Sequence, residues 1–289
     1  MAEQVIGENG MQVLRDPMSP WPSAALIATL GLARGAPEPG EALAPFWHWM
    51  HFLEAAPREA LGRDGHPAPG RYLLPDTGLP RRMWAGGRLV FEGPLPLGRE
   101  AVRRSHVSAV TRRSGRTGPL AFVTVHHAIE GAAGLAVTEE QDVVYREDPA
   151  PGAPRPAPEM APVDETAGRR WALDPTVLFR YSALTFNGHR IHYDAAYSRE
   201  VEGHAGLVVH GPLLATLLLE LAREMAPARF APHFIGRFAF RARAAVFVEE
   251  AFEACGRAAE DGLALWIRGG DGRLAMTAEL SWGPGGENG

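Results

Sequence analysis

Residues 211–225, GPLLATLLLELAREM, place the strongest constraint on the fold, because their apolar surface extends around more than one side of a helix. The segment opens with Gly-Pro, and proline suits the first turn of a helix. The sequence therefore predicts a buried helix that other elements must surround, ended by Pro227. Apolar residues recur at helical spacing and cover a wide face: Leu213, Leu214, Leu217, Leu218, Leu219, Leu221 and Met225.

The segments after this helix alternate between apolar and polar residues with a period of two, which is typical of strands with one buried face. In residues 234–243, Phe238 and Phe240 alternate with arginines. A second alternating segment covers residues 274–282, and the GGDG sequence before it predicts a hairpin turn from a strand at 263–268. A buried helix followed by an antiparallel meander indicates a sheet wrapped around a helix, an α+β arrangement.

The first half of the chain repeats this pattern of strands. Residues 105–113 and 120–129 flank a turn-rich SGRTG sequence, and residues 135–145 follow GAAG. Upstream, residues 45–53 are rich in aromatic side chains, and residues 81–95 contain a bend marked by glycines. We interpret the halves as two copies of one architecture, with the helix less clear in the first copy. Pairing them buries faces that one copy alone would expose.

A proline-rich stretch at residues 148–162, DPAPGAPRPAPEMAP, separates the two copies. Proline lacks the amide donor that helix interiors and central strands require, so this stretch predicts a semi-rigid extended linker. It divides the chain into an N-terminal domain at residues 1–147 and a C-terminal domain at residues 163–289. Each part has a length that fits one domain.

The composition narrows the class of function. Acidic residues exceed basic residues by 34 to 29, whereas a nucleic-acid-binding protein is expected to carry a basic excess. No apolar run approaches the roughly 18 residues of a membrane span, and the N-terminus lacks a signal-peptide pattern. We therefore expect a cytoplasmic protein that binds neither nucleic acid nor a membrane. The single cysteine, Cys255, excludes an internal disulfide framework, and the absence of lysine excludes Schiff-base chemistry.

Polar side chains concentrate in residues 179–214, where Asn187, His189 and His192 stand close together in the sequence. Further along the chain, His-Gly-Pro begins the leucine-rich helix at Gly211. A helix N-terminus offers unsatisfied backbone donors and a partial positive charge, and glycine lets a substrate oxygen approach them. This combination predicts a site in which a base faces an oxyanion donor.

The sequence RYSALTFNGHRIHYD, followed by GLVVHGPL, resembles the signature of the MaoC-like hotdog hydratases and dehydratases, which act on acyl thioesters. That motif reads Ser/Thr-Gly-Asp-x-Asn-Pro-hydrophobic-His-x-Asp, with a His-Gly sequence downstream at the central hotdog helix. Three segments of the first half resemble the branch of mesaconyl-CoA and itaconyl-CoA hydratases and mitochondrial-type hydroxyacyl-thioester dehydratases: DGHP at 64–67, LPRRMWAGGRLVF at 79–91 and GPLAFVTVHH at 118–127. The resemblance implies a double hotdog, with two antiparallel sheets each wrapped around a central helix.

The resemblance also implies roles for single residues. His192 falls on the family's catalytic histidine, and Gly211 falls on the glycine whose amide binds the oxyanion. Asn187 stands where the family has a catalytic aspartate, and His189 replaces the motif asparagine. An amide cannot act as a base, but it can hold a water molecule by donating and accepting hydrogen bonds. We therefore expect His192 to transfer the proton and Asn187 to orient the water.

The first copy has lost this motif. Asp64-Gly-His-Pro resembles the motif's Asp-x-Asn-Pro, but Pro69 stands where the histidine would be. We therefore expect the first domain to be non-catalytic and to shape the substrate pocket. A contribution of Asp64 to the site of the second copy is the less favoured interpretation.

The resemblance implies a hydro-lyase that adds water reversibly to an α,β-unsaturated acyl-CoA, with mesaconyl-C(4)-CoA or itaconyl-CoA giving citramalyl-CoA as the favoured reaction. A substrate carboxylate needs a cationic partner, and Arg82 is expected to bind it because a guanidinium matches a carboxylate bidentately. Two alternatives stay open: a (3R)-hydroxyacyl-thioester dehydratase of the fatty-acid type, and a non-catalytic protein that binds acyl thioesters.

We expect no metal and no organic cofactor, with coenzyme A present only as part of the substrate. The alternative of a metal site rests on two histidine pairs at i, i+3, His48 with His51 and His189 with His192, without a supporting carboxylate pattern. Two hotdog copies in one chain can form the pairing that single-copy relatives achieve as dimers, so a monomer or a homo-oligomer is expected.

Overall fold

The computed structural model describes residues 5–6, 10–115, 118–148, 157–226 and 235–283. Within these residues, eleven strands form one antiparallel sheet in the order β1-β2-β4-β5-β6-β3-β8-β11-β10-β9-β7. The strands of the first half are β1 (Val5–Ile6), β2 (Gln12–Asp16), β3 (Arg81–Phe91), β4 (Ala101–Gly115), β5 (Gly118–Gly131) and β6 (Gly134–Arg146). Those of the second half are β7 (Ala167–Trp171), β8 (Ile235–Ala242), β9 (Phe252–Ala259), β10 (Gly262–Arg268) and β11 (Leu274–Trp282). The helices are α1 (Trp21–Leu30), α2 (Pro175–Thr185), α3 (Ala195–Glu200) and α4 (Gly211–Met225).

The two halves meet in the middle of the sheet, where β3 pairs with β8. Leu89 of β3 lies opposite Phe238 of β8, and both side chains are buried. The two predicted sheets therefore join edge to edge into one, and each half covers an edge strand that it would otherwise expose. Close to this junction, the register between β3 and β6 shifts between Trp84 and Gly86, which is the glycine-marked bend expected in this segment.

The leucine-rich segment forms α4 as predicted, and residues 212–222 are all buried. The helix lies against β7, β9, β10 and β11. Its one buried carboxylate, Glu220, pairs with Arg34 of the first half at 2.9 Å. The alternating segments form β8 and β11, and their apolar side chains share one core with the leucines of α4. The buried helix and the strands that follow it are therefore confirmed.

The helical part of the first half is α1, which the sequence did not predict. The aromatic segment forms only a short 3-10 helix, Trp47–Met50. Leu26 and Leu30 of α1 pack in the same core as Phe46 and Trp47. The first copy therefore differs from the expected pattern, because a ten-residue helix and a group of aromatic side chains stand where the second copy has one long helix.

Most of the predicted proline-rich linker lies outside the described residues, which omit 149–156. Its last part runs along the hairpin between β10 and β11, where the Ala161 amide donates to the Gly272 carbonyl at 2.9 Å. The domain boundaries at residues 147 and 163 stay predictions. In the described part of the chain, no helix is long and apolar enough to cross a membrane.

Candidate active site

The motif segment leaves α2 in a tight loop. Phe186 ends the helix with a left-handed backbone conformation, at a φ of 50°. The side-chain oxygen of Asn187 then accepts a hydrogen bond from the His189 amide at 2.9 Å, which forms an Asx turn. A short 3-10 helix, Arg190–His192, follows directly. The loop therefore fixes the backbone from which His189 and His192 project.

His192 is held in one orientation by the backbone of the segment before α4. Its Nδ1 donates to the Val208 carbonyl at 2.7 Å, so Nε2 carries the lone pair of the neutral ring. The ring stacks on His210, with centroids 3.6 Å apart and planes 18° apart. His192 keeps 6% of its surface exposed, whereas His210 is fully buried. His192 is therefore the more exposed imidazole of this pair.

His210 supports this ring and leads directly into α4. Its Nε2 lies 2.9 Å from the Ser182 hydroxyl oxygen, and its Nδ1 is buried without a hydrogen-bond partner among the described residues. Gly211 follows as the first residue of α4, and the first amides of a helix have no acceptor within it. Such amides stabilise negative charge on a bound oxygen. The predicted oxyanion donor thus lies one residue from the ring that stacks on His192.

The first half covers Gly211 with an aromatic ring. A β-carbon at position 211 would lie 2.6 Å from Cε3 and 2.9 Å from Cζ3 of Trp84, well inside van der Waals contact. Only glycine fits there without displacing Trp84. Since Trp84 belongs to β3, the junction of the halves supplies part of the wall around the start of α4.

A loop of the first half also packs against the motif of the second. The Asp64 carbonyl accepts a hydrogen bond from the Arg190 amide at 2.9 Å. Gly65, at a φ of 87°, approaches so closely that a β-carbon there would lie 2.1 Å from the Gly188 carbonyl oxygen. These contacts place the loop of Asp64 against the second motif, and a contribution of the Asp64 side chain to that site stays a prediction.

Asp64 and Arg82 form a buried ion pair beside this loop. Arg82 Nε and Nη2 lie 2.9 and 3.2 Å from the two carboxylate oxygens, and Nη2 also donates to the Pro67 carbonyl at 2.8 Å. Burial acts to raise the pKa of Asp64, but the hydrogen bonds and charge of Arg82 outweigh it and hold that pKa below its usual value. A substrate carboxylate at Arg82 would therefore have to compete with Asp64 or use the third guanidinium nitrogen.

A cavity of about 290 Å³ opens beside this ion pair and is lined by residues of the first half, among them Tyr145. Its two lining arginines already have carboxylate partners, since Arg82 binds Asp64 and Arg63 binds Asp148 at 2.6 Å. The charges around the cavity are therefore largely balanced.

Four imidazoles from both halves form a row. The ring centroids of His66 and His189 are 4.8 Å apart, those of His189 and His192 are 5.6 Å apart, and His210 follows at 3.6 Å. Burial lowers the pKa of His66, His189 and His192 to about 3, and neighbouring basic side chains, other imidazoles and for His66 and His189 also Arg82, add to this effect. Burial likewise holds the pKa of His210 well below its usual value. All four rings are therefore neutral at pH 7, and the lone pair of His192 is available.

The histidine pairs considered as metal ligands have other partners in the structure. His48 Nε2 lies 2.9 Å from Glu139, and His51 Nδ1 lies 3.0 Å from Asp16, so each ring binds a separate carboxylate. The second pair, which includes His192, belongs to the row of imidazoles.

One group of possible metal ligands occurs elsewhere in the described residues. Single ligand atoms of Glu165, Glu253 and Cys255 lie within 4.8 Å of one another. Arg268 Nη2 binds both carboxylates, at 2.6 and 2.7 Å, so a guanidinium already supplies the positive charge at this place.

Sequence reasoning missed two contributors to the site. His66 belongs to the DGHP segment, which carried a signal because it resembles the motif, but Pro69 at the histidine position pointed away from a function. Trp84 gave no signal of its own, because only the pairing of β3 with β8 brings it to Gly211.

Solved structures with the same architecture define the fold of the chain. HtdX from Mycobacterium tuberculosis matches with a TM-score of 0.65 at 19% identity, covering 93% of this chain and 99% of that chain. A MaoC-like dehydratase from Phytophthora capsici matches with a TM-score of 0.67 at 13% identity, covering 98% and 97%. A further M. tuberculosis protein, described as a double hotdog, has a TM-score of 0.57 at 15% identity and covers 98% and 95%. The predicted double hotdog is therefore confirmed.

Sequence comparison narrows this class to a family. The family model of hydroxyacyl-thioester dehydratase type 2 matches residues 46–248. The chain is 46% identical to the mesaconyl-C(4)-CoA hydratase of Chloroflexus aurantiacus over 262 residues, 90% of each chain. It is 28% identical to the mitochondrial hydroxyacyl-thioester dehydratase type 2 of Schizosaccharomyces pombe, over 74% of this chain and 77% of that protein. The chain belongs to the hydroxyacyl-thioester dehydratase type 2 family, which confirms the predicted MaoC-like membership and enzyme class.

Proposed function

We propose that the chain catalyses the reversible addition of water to mesaconyl-C(4)-CoA, giving citramalyl-CoA. The observation that carries this proposal is the orientation of His192, whose bond to Val208 leaves Nε2 as a base close to the start of α4. The identity of 46% with the Chloroflexus hydratase, over 90% of both chains, supports mesaconyl-C(4)-CoA as the substrate.

The mechanism follows from the distribution of electrons in the conjugated thioester of the substrate. Its β-carbon is electrophilic, and the bond that forms there with the water oxygen moves negative charge onto the thioester oxygen. The Gly211 amide stabilises that charge, and one well-placed donor of this kind contributes about 2.7–4 kcal/mol to the transition state. His192 Nε2 takes the proton that leaves the water and returns it to the α-carbon as the enolate collapses. One water molecule is consumed, and the imidazole is regenerated.

The low pKa of His192 acts in opposite directions on these two steps. A pKa of about 3 keeps the ring neutral at pH 7 but makes Nε2 a weak base toward water, whereas the transient imidazolium is a strong acid toward the α-carbon. Asn187 is proposed to orient the water through its amide nitrogen, because its oxygen already accepts the His189 amide. These steps need no metal and no organic cofactor, and coenzyme A takes part only as the carrier of the acyl group.

We expect Gly211→Ala to lower kcat by about 10²- to 10³-fold, because the added methyl group must displace Trp84 and shifts the amide from the oxyanion. Steady-state hydration kinetics measure this loss. Gly35→Ala is the matched control, since a β-carbon at Gly35 meets nothing within 4 Å, and its rate should equal that of the wild type. Equal rates for both variants would contradict the oxyanion role of Gly211.

A panel of three substrates tests the proposed function. Mesaconyl-C(4)-CoA, itaconyl-CoA and crotonyl-CoA are compared with the purified protein by the loss of the conjugated-thioester absorbance or by product analysis. We expect kcat/KM for mesaconyl-C(4)-CoA to exceed that for crotonyl-CoA by at least about tenfold, as a polar group matched by a protein partner commonly allows. A clear preference for crotonyl-CoA would make the dicarboxylate assignment wrong.

Arg82→Ala tests whether this guanidinium binds the substrate carboxylate, as proposed. Loss of that contact should lower kcat/KM for mesaconyl-C(4)-CoA about tenfold or more relative to crotonyl-CoA, since a charge-assisted hydrogen bond contributes ~1.5–3 kcal/mol. If Arg82 only holds Asp64, both rates should fall by the same factor. Asp64→Asn serves as the comparison, because it removes the partner charge and keeps the guanidinium.

A straight-chain (3R)-hydroxyacyl-thioester dehydratase is the second candidate, favoured by the name of the S. pombe relative. A non-catalytic acyl-thioester-binding protein is the third, and the substitution of asparagine at position 187 is the one feature that favours it. Any enoyl-CoA turnover that His192→Gln abolishes rejects this last candidate.

Three properties remain predictions: itaconyl-CoA as a substrate, a cytoplasmic location, and a monomeric or homo-oligomeric state.

A further inference from the structure

Four aromatic side chains, Phe46, Trp49, Trp84 and Phe240, form an aromatic wall beside Gly211. Trp84 stacks on Phe240 with centroids 4.6 Å apart, and Trp49 and Trp84 meet edge to face with centroids 5.4 Å apart. Phe46 then stacks on Trp49 at 5.3 Å and meets Phe240 at 5.6 Å. Every ring of the wall therefore contacts at least two others, so that no single ring can move freely.

A buried carboxylate, Glu139, fixes the back of this wall. Trp49 Nε1 donates to one oxygen of Glu139 at 2.8 Å, and His48 Nε2 lies 2.9 Å from the other. Burial acts to raise the pKa of Glu139, but the hydrogen bonds with His48 and Trp49 help to outweigh it and lower that pKa, so the carboxylate is ionised at neutral pH. The proposed mechanism uses neither residue, and a charge at this depth requires partners. Glu139 contacts the aromatic wall through Trp49.

Trp84 is fixed in a different way. Its Nε1 is buried and has no hydrogen-bond partner among the described residues, so packing against Trp49 and Phe240 determines where the ring lies. That ring occupies the space that a side chain at position 211 would need. The wall thus stands directly against the first residue of α4.

We propose that the aromatic wall sets the maximum length of the acyl group, with Trp84 as the residue that the acyl group meets. This inference rests on the proposed binding of a thioester at Gly211 and His192. A carbonyl held at the Gly211 amide brings its acyl group against Trp84, because the ring already touches the space beside the Gly211 α-carbon. A chain much longer than butyryl must displace the ring, and Trp49 and Phe240 oppose that movement.

Binding of saturated acyl-CoAs tests the inference, because butyryl-CoA and octanoyl-CoA cannot be hydrated. Isothermal titration calorimetry should give wild-type protein at least about tenfold tighter binding of butyryl-CoA than of octanoyl-CoA, the order of discrimination that a closed apolar pocket provides. Trp84→Leu should strengthen octanoyl-CoA binding about tenfold and change butyryl-CoA binding little. Trp84→Phe is the matched control, because it keeps an aromatic ring at this position and should keep the wild-type ratio of butyryl-CoA affinity to octanoyl-CoA affinity.

Two further variants change residues that support Trp84, either directly or through Trp49. Trp49→Leu removes the ring that supports Trp84 and should shift the ratio in the same direction as Trp84→Leu, so it decides the matter if Trp84→Leu does not fold. Glu139→Gln keeps an acceptor for Trp49 Nε1 and should keep the wild-type ratio. Near-UV circular dichroism shows which variants are folded.

The inference is overturned if wild-type protein binds octanoyl-CoA as tightly as butyryl-CoA, or if a folded Trp84→Leu or Trp49→Leu variant keeps the wild-type ratio. Hydration of mesaconyl-C(4)-CoA is measured on the same wild-type preparation. If the protein binds butyryl-CoA more tightly than octanoyl-CoA but does not hydrate mesaconyl-C(4)-CoA, only the proposed function is rejected. If it hydrates mesaconyl-C(4)-CoA but binds both saturated acyl-CoAs equally, only the role of the aromatic wall is rejected.

Discussion

His192→Gln is expected to lower kcat for enoyl-CoA hydration by about 10²- to 10⁴-fold, the contribution typical of a positioned general base. Glutamine can still donate a hydrogen bond to the Val208 carbonyl, so the local backbone keeps its partner. Its amide oxygen is a far weaker base than the Nε2 of a neutral imidazole. The loss of the conjugated-thioester absorbance over time gives the rate directly.

Two measurements separate a lost base from a disturbed fold. His106→Gln, on β4, changes a histidine whose ring meets His126 at 5.1 Å outside the proposed site, and it should leave the rate unchanged. Binding of butyryl-CoA to His192→Gln should stay within about threefold of the wild type, since a base that acts in the transition state adds little to ground-state affinity. A residual rate within tenfold of the wild type would move the basic role to another residue of the site, with His189, the more exposed of the two rings that contact His192, as the candidate.

Local sequence patterns predicted the second half of the fold well. The period of α4 and the alternation of β8 and β11 depend on residues a few positions apart, and the buried face follows from them. The loop from Asn187 to His192 was also visible, because its polar residues are contiguous. The family resemblance then indicated which imidazole to examine.

The contacts between the halves were not predictable in the same way. Arg190 and Asp64 are far apart in sequence, and no periodicity connects a loop of one copy to a loop of the other. The same holds for Trp84 and Gly211, which meet only because β3 pairs with β8. The helix α1 escaped prediction because its residues, WPSAALIATL, show no clear separation of polar and apolar faces.

The partner of Arg82 shows how much such contacts change an interpretation. From the sequence, Arg82 was a free cation for a substrate carboxylate. In the structure it binds the Asp64 carboxylate through two nitrogens, and Asp64 belongs to the loop that packs on Gly188 and Arg190. Arg82 thus holds the loop of the first half, and the backbone of that loop packs against the motif of the second half.

Mild acid is expected to unfold the protein while its carboxylates are still ionised. Burial lowers the pKa of His66, His127, His189 and His192 to about 3, and that of His210 lies well below its usual value. In the unfolded chain a histidine has a pKa of about 6.5. Below that pH the histidines bind protons in the unfolded state but not in the folded state, so the free energy of unfolding falls as the pH falls.

The size of this effect follows from the number of neutral imidazoles. Each contributes a slope of up to about 1.4 kcal/mol per pH unit between pH ~6 and pH ~3. Even two of the five would remove ~3 kcal/mol per unit, and a typical domain has only about 5–15 kcal/mol in total. We therefore expect cooperative unfolding between about pH 4 and pH 5.5, in urea titrations followed by circular dichroism at stepwise pH. Unfolding only below about pH 3.5 would contradict this.

His127→Gln isolates one imidazole of this set. His127 lies in the first half, where its Nδ1 is 2.6 Å from the Ser105 hydroxyl, away from the proposed substrate contacts. The substitution should reduce the slope of unfolding free energy against pH by about 1 kcal/mol per unit between pH 6 and pH 5, where carboxylates do not yet titrate. A constant loss of stability leaves that slope unchanged, so the slope reports the protonation of His127 alone.

The fall of kcat/KM at acidic pH should coincide with unfolding, since His192 stays neutral until a pH of about 3. Solution conditions that stabilise the fold should therefore shift this fall and the unfolding transition together.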